Sequence, residues 1–193
     1  MARGREPQRR GHGKAVRAAV AGAWVAAGGL WGSPSVRAQT PIAAPGTVLT
    51  GERLQRMSPA ELDALYRAAG PGAQPRGKVY GLPIVAPGKA MGPALSRGAR
   101  AVWQGKVFSD DGTSAVNRFF GARMIRGNLY YGSSWLDGRS SLVLDYQGTS
   151  LVYGRYRDEI REVAPGLYLG VMFARSKKGP PTFSRYFAFE TRP

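Results

Sequence analysis

The sequence has no cysteine and a single histidine, and these two shortages exclude several classes of protein at once. The histidine is His12, which lies in an N-terminal segment that we expect to be removed. Without thiolates or imidazoles, the rest of the chain cannot form a His/Cys zinc site, a Ser-His-Asp or Cys-His catalytic centre, or a haem ligated by His or Cys. We therefore predict no metal and no cofactor, and a domain that is stabilised by its core without disulfides.

The chain also lacks a hydrophobic run of the roughly 20 residues that comfortably span a bilayer. Its start instead has the three parts of a signal peptide: basic residues up to Arg17, an apolar stretch from Ala18 to Trp31, and the small–x–small sequence Val36-Arg37-Ala38. We predict that residues 1–38 are a signal peptide cleaved after Ala38, and that the protein is periplasmic or secreted. The arginine pair in the leader leaves the twin-arginine route open beside the general secretory route.

Acidic residues are scarce, with 12 Asp and Glu against 28 Lys and Arg. Removing the seven basic residues and one acidic residue of the leader leaves residues 39–193 with a formal charge of +10. A surface of this sign favours anionic partners, such as lipid head groups or acidic polymers. Export makes nucleic acid the least available of them, so we expect no nucleic-acid partner. Peripheral contact with an anionic membrane surface is a further expectation.

Local signals divide the remaining chain into a lead-in and one domain. Residues 39–56 begin with a segment rich in Pro, Ala, Gly and Thr, and we predict a flexible lead-in there. Residues 57–193 are long enough for a single domain. Within it, Ser58-Pro59-Ala60-Glu61 is a capping box with proline at the first helical position, and it predicts an amphipathic helix over about residues 58–69.

Short alternating segments separated by turns predict a fold that is mainly β. The expected strands lie within residues 78–85, 101–108, 114–120, 124–131, 141–146, 151–157, 159–163, 167–174 and 183–190. Residues 88–100 are expected to be irregular, with room for one helical turn. Their spacing, with Asp-Gly and Pro-Gly turns between them, is typical of a meandering antiparallel sheet. Because closure removes unpaired edges, we predict that the meander closes into a β-barrel.

The segments Trp103-Gln104-Gly105-Lys106-Val107-Phe108 and Asp158 to Gly170 carry a resemblance to a known family. The chain resembles uncharacterised bacterial proteins that pair a Gly-x-Trp-x-Gly domain with a second domain of unknown function. This resemblance implies a small lipocalin-like barrel, and it implies no activity. The chain departs from the family at Gly77 to Gly81, where Val or Tyr stands in place of Trp.

The densest charge cluster of the domain is Arg157 to Glu162. In an extended strand Arg157, Glu159 and Arg161 share one face, while Asp158 and Glu162 share the other. Glu159 between two guanidiniums would stay ionised and could fix them as a clamp for a carboxylate or phosphate group at the barrel mouth. The competing interpretation, which we favour, is a salt-bridge ladder on a face exposed to water.

Three further residues are candidates for a role. Arg185 shares one face of the last strand with Phe183, Phe187 and Phe189 and so lies in an aromatic row. The barrel resemblance implies that Arg185 covers Trp103 and closes the barrel end, so both are predicted to be structural. Asp145 and Asp158 are weak catalytic candidates, because a buried carboxylate beside a tyrosine can act as a base. Nothing in the sequence supplies a matched acid or nucleophile for either.

We therefore predict an exported, non-catalytic protein that binds an amphiphilic or anionic small molecule, lipid-like in character, in a β-barrel cavity. The residues favour a binding protein and leave two alternatives. One is a carboxylate-dependent enzyme that uses Asp145 or the pair Asp158 and Glu159. The other is a basic scaffold or interaction protein of the cell envelope. The oligomeric state does not follow from the sequence.

Overall fold

Nine strands form one antiparallel sheet in the computed structural model, which describes residues 48–191. The strands are β1 (Gly77–Lys78), β2 (Tyr80–Pro83), β3 (Trp103–Phe108), β4 (Ser114–Phe119), β5 (Ala122–Ser133), β6 (Ser140–Asp145), β7 (Tyr156–Ala164), β8 (Leu167–Ala174) and β9 (Thr182–Glu190). Their order in the sheet is β1-β3-β4-β5-β6-β7-β8-β9-β2. The predicted antiparallel meander is confirmed, because every strand from β3 to β9 pairs with its neighbour in sequence.

The short strands β1 and β2 close the sheet into a barrel. They follow one another directly, yet β1 pairs with β3 while β2 pairs with β9, so one segment joins the two ends of the meander. The Val79 N–H lies between them and donates a hydrogen bond to the Lys106 carbonyl at 3.0 Å. At this seam Gly81 and Gly105 approach so closely that a Cβ on Gly81 would lie 2.5 Å from the Gly105 nitrogen. The predicted β-barrel is therefore present, and glycine permits its closure.

The barrel interior is one apolar core. Because alternate residues of a strand point to opposite faces, each strand contributes every second side chain to it. Ile160 of β7, Leu142 and Leu144 of β6, and Phe187 and Phe189 of β9 are all 5% exposed or less. Trp103 and Phe187 meet edge to face with ring centroids 5.7 Å apart.

A second core lies on the outer face of β8 and β9, where helices cover the barrel. Helices α1 (Gly51–Arg56) and α2 (Pro59–Ala68) bury their leucines against this face, and α3 (Gly92–Ala99) lies beside α1 and β2. β8 is therefore buried on both faces, with Leu169 and Val171 in the outer core and Tyr168 in the inner one. This explains its nearly unbroken apolar sequence.

The predicted α2 is confirmed together with its capping box: the Ser58 side chain accepts from the Glu61 N–H, and the Glu61 side chain accepts from the Ser58 N–H. Three local expectations differ from the structure. Residues 51–56 of the expected lead-in form α1, capped by Thr50 and buried through Leu54. Residues 92–99 form α3 instead of an irregular segment, and residues 151–155 are turns.

The predicted signal peptide, residues 1–38, lies outside the described residues. Between residues 48 and 191, none of the helices is both long enough and apolar enough to cross a membrane.

Candidate ligand-binding cavity

A buried polar cluster lies inside the barrel, with its members on β3, β4, β7 and the end of β6. The Lys106 Nζ donates to the Asn117 Oδ1 at 2.8 Å, to the Tyr146 Oη at 3.0 Å and to the Asp158 Oδ2 at 2.8 Å. The Tyr146 hydroxyl in turn donates to Asp158 at 2.6 Å, and the Trp103 indole N–H donates to Asn117 at 3.0 Å. We call these five residues the inner polar cluster. Its ion pair, Lys106 with Asp158, is supported by hydrogen bonds with Asn117 and Tyr146, which offset part of the cost of burying two charges.

A β-bulge turns Lys106 into the barrel. Trp103 and Lys106 are three residues apart, so strict alternation would place them on opposite faces of β3. The pairing of β3 with β4 shifts register between Trp103 and Gly105, and Gly105 has φ +113°, a conformation that favours glycine. Both side chains consequently point inward, and the Lys106 Nζ lies 5.6 Å from the centre of the Trp103 ring.

Burial governs the electrostatics of this cluster. Desolvation lowers the pKa of Lys106, and the charge and hydrogen bond of Asp158 oppose that change. Desolvation also raises the pKa of Tyr146 well above its ordinary value, and the negative charge of Asp158 raises it further. Tyr146 is therefore a neutral hydrogen-bond donor to Asp158 across the physiological range.

The inner polar cluster forms the floor of a cavity of about 110 Å³. The cavity wall is mostly aromatic and apolar, and it includes Phe119, Tyr153, Met172 and Phe187. The exposed side chain of Val152 lies at its rim, so the cavity opens at the end of the barrel where β4, β6 and β8 end. We call this end the mouth.

Three cationic side chains line the cavity against a single carboxylate. Lys106 and Asp158 form an ion pair on the floor, and the exposed Arg155 and the partly buried Arg185 bring two further positive charges to the lining. Burial lowers the pKa of Arg185, opposed by the negative charge that Tyr153 can carry. An arginine nevertheless stays protonated in proteins, so the cavity has a formal excess of two positive charges.

Arg185 and Trp103 both line this cavity, which agrees with an inward position for each. Phe183, however, does not share the face of Arg185 as the simple alternation of β9 predicted. A register shift in the pairing of β8 with β9 lies at Met172 and Phe173, and it places Phe183 against Phe173 on the outer side. The aromatic row expected around Arg185 is therefore shorter by one ring.

The expected clamp of Arg157, Glu159 and Arg161 does not lie at the barrel mouth, and it is not exposed to water either. The three residues share one face of β7, as predicted, but this face points outward and is covered by α2 and by residues 134–137. Glu159 and Arg161 are 0% exposed and Arg157 is 7% exposed. Both the clamp and the exposed ladder are thus wrong, because the sequence does not show which second layer covers a strand.

Each member of the expected clamp has its own buried partners. Arg161 makes a two-pronged ion pair with Asp137, with both N–O distances at 2.7 Å, and it stacks on the Tyr66 ring at 4.4 Å. Glu159 accepts from the Ser134 hydroxyl at 2.5 Å and from the Trp135 N–H at 2.9 Å. Burial raises the pKa of Glu159, and these hydrogen bonds oppose the rise. Through these contacts the outer face of β7 is joined to the loop after β5 and to helix α2.

The two catalytic candidates lie on different sides of the barrel wall. Asp145 lies outside, where it pairs with Arg175 at 2.5 Å and accepts from the Tyr130 hydroxyl at 3.2 Å. Asp158 lies inside, in the inner polar cluster, whereas Glu159 lies outside. The alternative of an enzyme that uses Asp158 and Glu159 as an acid–base pair is therefore ruled out by geometry, since both carboxylates would have to face one substrate.

Three residues that the sequence indicated, Trp103, Asp158 and Arg185, line the cavity. Its polar floor also includes Lys106, Asn117 and Tyr146, for which no role was predicted. The period of β4 and β6 could have placed Asn117 and Tyr146 inward, but a polar side chain in an alternating strand is ordinarily taken as an outward one. Among residues 48–191 there is no group of three His, Cys, Asp or Glu side chains that could hold a metal ion.

Comparison with known proteins adds little to this geometry. No family model matches the chain, and no curated protein matches it. Among solved structures it is similar to the crystal structure of a protein from Thermomonospora curvata, with 17% sequence identity and a TM-score of 0.46. The similarity covers 70% of this chain and 88% of that chain, and at this level it carries no argument about function.

Proposed function

We propose that the protein is a non-catalytic binding protein for a small anionic amphiphile, and that it acts outside the cytoplasm after cleavage at Ala38. The observation that carries this proposal is the cavity, whose wall is apolar and whose charged lining has a formal excess of two positive charges. An apolar wall stabilises the apolar part of a ligand by removing it from water. Arg155 and Arg185 would hold the anionic head, with Arg155 at the exposed rim.

The size of the cavity limits what part of a ligand can enter. Cavities that enclose a drug-sized ligand measure about 300–1,000 Å³. A dry cavity of about 150 Å³ accepts benzene. A cavity of about 110 Å³ therefore suits a short alkyl segment or a group smaller than a benzene ring. The rest of a longer chain would lie in the open mouth. The lipid-like ligand that we expect would therefore insert only a short apolar segment into the cavity.

The inner polar cluster supports binding over catalysis. The Lys106 ammonium has three protons and donates all three, to Asn117, Tyr146 and Asp158. Asp158 is in turn occupied by Lys106 and Tyr146. To act as a base or nucleophile, Lys106 or Asp158 would first have to give up these partners. The free-energy cost would be high, because a buried charge would be left without its counter-charge. We therefore assign the cluster the role of a rigid polar floor.

The proposal is tested by comparing two probes with the same tail and opposite heads. Octanoate and octyltrimethylammonium are titrated into the protein by isothermal titration calorimetry, and we expect octanoate to bind at least about tenfold more tightly, because it meets the excess positive charge. Replacing Arg155 with Ala should weaken octanoate binding, whereas the matched change at the exposed Arg139, at the other end of the barrel, should not. Equal binding of the two probes would contradict the proposal.

A second pair of variants tests the place of binding. Met172→Trp fills the cavity from its wall, and Tyr131→Trp adds the same indole at a half-exposed position near the end of the barrel opposite the mouth. Octanoate binding should be lost in the first variant and kept in the second. Native mass spectrometry of the purified protein would add the identity of any ligand that the cell supplies. Retention of octanoate binding with the cavity filled would place the ligand elsewhere.

A further inference from the structure

The two ends of the barrel differ in charge. In an antiparallel meander alternate connections lie at the same end, and the connections at the mouth are residues 84–102, 120–121, 146–155 and 175–181. These four contain no Asp or Glu and seven basic residues: Lys89, Arg97, Arg100, Arg155, Arg175, Lys177 and Lys178. The opposite connections, residues 109–113, 134–139 and 165–166, contain three Asp and one Arg. The connections at the mouth are therefore strongly basic, although one of these seven residues, Arg175, pairs with Asp145 at the end of β6.

Apolar side chains protrude from the same end. Leu151 is fully exposed in the connection between β6 and β7, and the neighbouring Val152 is 42% exposed. Phe120 is 51% exposed at the tip of the hairpin between β4 and β5, where it has φ +50°, a conformation that costs energy for a bulky residue. Large apolar side chains at the tips of connections have no role in either core of this fold, so they call for another explanation.

We infer that the mouth of the barrel docks on an anionic membrane surface, with Leu151 and Phe120 entering the head-group region and Lys177 and Lys178 contacting lipid phosphates. Apolar tips surrounded by lysine and arginine, with no acidic residue among them, are the pattern by which peripheral proteins bind an anionic interface. A soluble polyanion would explain the basic residues but would leave the protruding apolar side chains without a function. The inference goes beyond the proposed ligand and concerns where the protein would acquire or release it.

Vesicle co-sedimentation tests this inference on the whole expressed chain, so that whatever the N-terminal segment contributes is the same in every variant. We expect binding to phosphatidylcholine vesicles that contain about one third phosphatidylglycerol, and about tenfold or more weaker binding to pure phosphatidylcholine. Raising the salt from about 0.1 M to about 1 M shortens the Debye length from about 10 Å to about 3 Å and should release the protein. Equal binding to both kinds of vesicle would overturn the inference.

Two matched pairs of variants locate the docking surface. Reversal of two charges at the mouth, Lys177→Glu/Lys178→Glu, should weaken binding about tenfold or more, whereas the same reversal at the other end, Arg76→Glu/Lys78→Glu, should leave most of it. Leu151→Ser should weaken binding about tenfold, because an exposed leucine can no longer enter the interface, and Val48→Ser, at a position 78% exposed outside the mouth, should have no effect. Equal losses within either pair would refute docking through the mouth.

Two further measurements separate the alternatives. If polyglutamate binds as tightly as the anionic vesicles and Leu151→Ser leaves both unchanged, the surface recognises a soluble polyanion and the membrane inference is wrong. The cavity-filled variant Met172→Trp should keep full vesicle binding. If the wild type binds vesicles but not octanoate, the proposed function is contradicted and the docking inference stands. If Met172→Trp loses vesicle binding, the docking inference is contradicted.

Discussion

Replacing Lys106 with Met is the sharpest test of the inner polar cluster. The side chain is 2% exposed, and methionine has a similar length without the charge or the donors. Asp158, whose side chain is 4% exposed, would lose its ion pair with Lys106 and keep the hydrogen bond from the Tyr146 hydroxyl. Asn117 would lose one of the two donors to its Oδ1 and keep the Trp103 indole. The main cost is thus one buried carboxylate that has lost its ion-paired ammonium.

The expected loss of stability follows from that carboxylate. Breaking a buried ion pair by removing one partner costs about 3–5 kcal/mol of unfolding free energy. For a domain of this size each kcal/mol shifts the Tm by roughly 2–4 °C, so we expect a decrease of about 10 °C. The double variant Lys106→Met/Asp158→Asn removes both charges and keeps an oxygen that can accept from Tyr146. It should therefore recover at least about 2 kcal/mol of the loss.

Urea denaturation of the two single variants, the double variant and the wild type gives the coupling energy as a double-mutant cycle. A loss below about 1 kcal/mol for Lys106→Met would show that the interior admits water around Asp158, contrary to the burial described above. A double variant as unstable as Lys106→Met alone would show that the unpaired carboxylate is not the cause. Either result would refute the assignment of the cluster as a rigid, satisfied floor.

Three other predictions concern the barrel seam and the outer ion pairs. Gly105→Ala should prevent soluble folding, because its Cβ would meet the Val79 carbonyl across the seam, whereas Gly138→Ala, which has positive φ but open space, should cost only about 1 kcal/mol in a thermal melt. Arg161→Ala should lower the Tm strongly by leaving its buried partners unpaired. The folded fraction should bind octanoate as the wild type does, and weaker binding would indicate that Arg161 contacts the ligand after all. The pKa of Glu159 is raised in the folded state, so its contribution to stability is fully present below pH 4.5 and decreases as the pH rises through the folded pKa. The unfolding free energy of the wild type relative to Glu159→Gln should therefore fall as the pH rises from 4.5, and a rise would contradict the direction of that shift.

Local signals predicted the elements of this fold well wherever they acted alone. The capping box gave α2 within one residue at each end, and the turn at Pro165-Gly166 gave the end of one strand and the start of β8. Helices α1 and α3 were missed because they are short and owe their stability to the barrel they cover. The segment 151–155 is predicted to be extended, since Val152 and Tyr153 have a high β propensity, but in the structure that preference gives way to the turn that shapes the mouth.

The site was harder to predict because it depends on which face of each strand points inward. Alternation grouped Arg157, Glu159 and Arg161 correctly, but no property of β7 itself says that α2 covers that face. Alternation failed at Lys106, because the bulge before it adds one residue to the strand and reverses the faces that follow. The only sign of such a bulge in the sequence is a glycine, and glycine occurs at many positions without a bulge. The bulge therefore cannot be predicted from the sequence.

The unusual charge density of β7 follows from its position between two cores. Its inner face gives Asp158 to the cavity floor, and its outer face gives Glu159 and Arg161 to the contact with the loop after β5 and helix α2. Both sets of charges are buried and paired, so a charge cluster on a strand does not by itself mark a reacting centre. The inner set adjoins the cavity, and two further positive charges of the lining, Arg155 and Arg185, come from outside β7. The paired charges of β7 thus hold the barrel wall and the cavity floor together, and the anionic ligand that we propose would be recognised by Arg155 and Arg185, which lie outside β7.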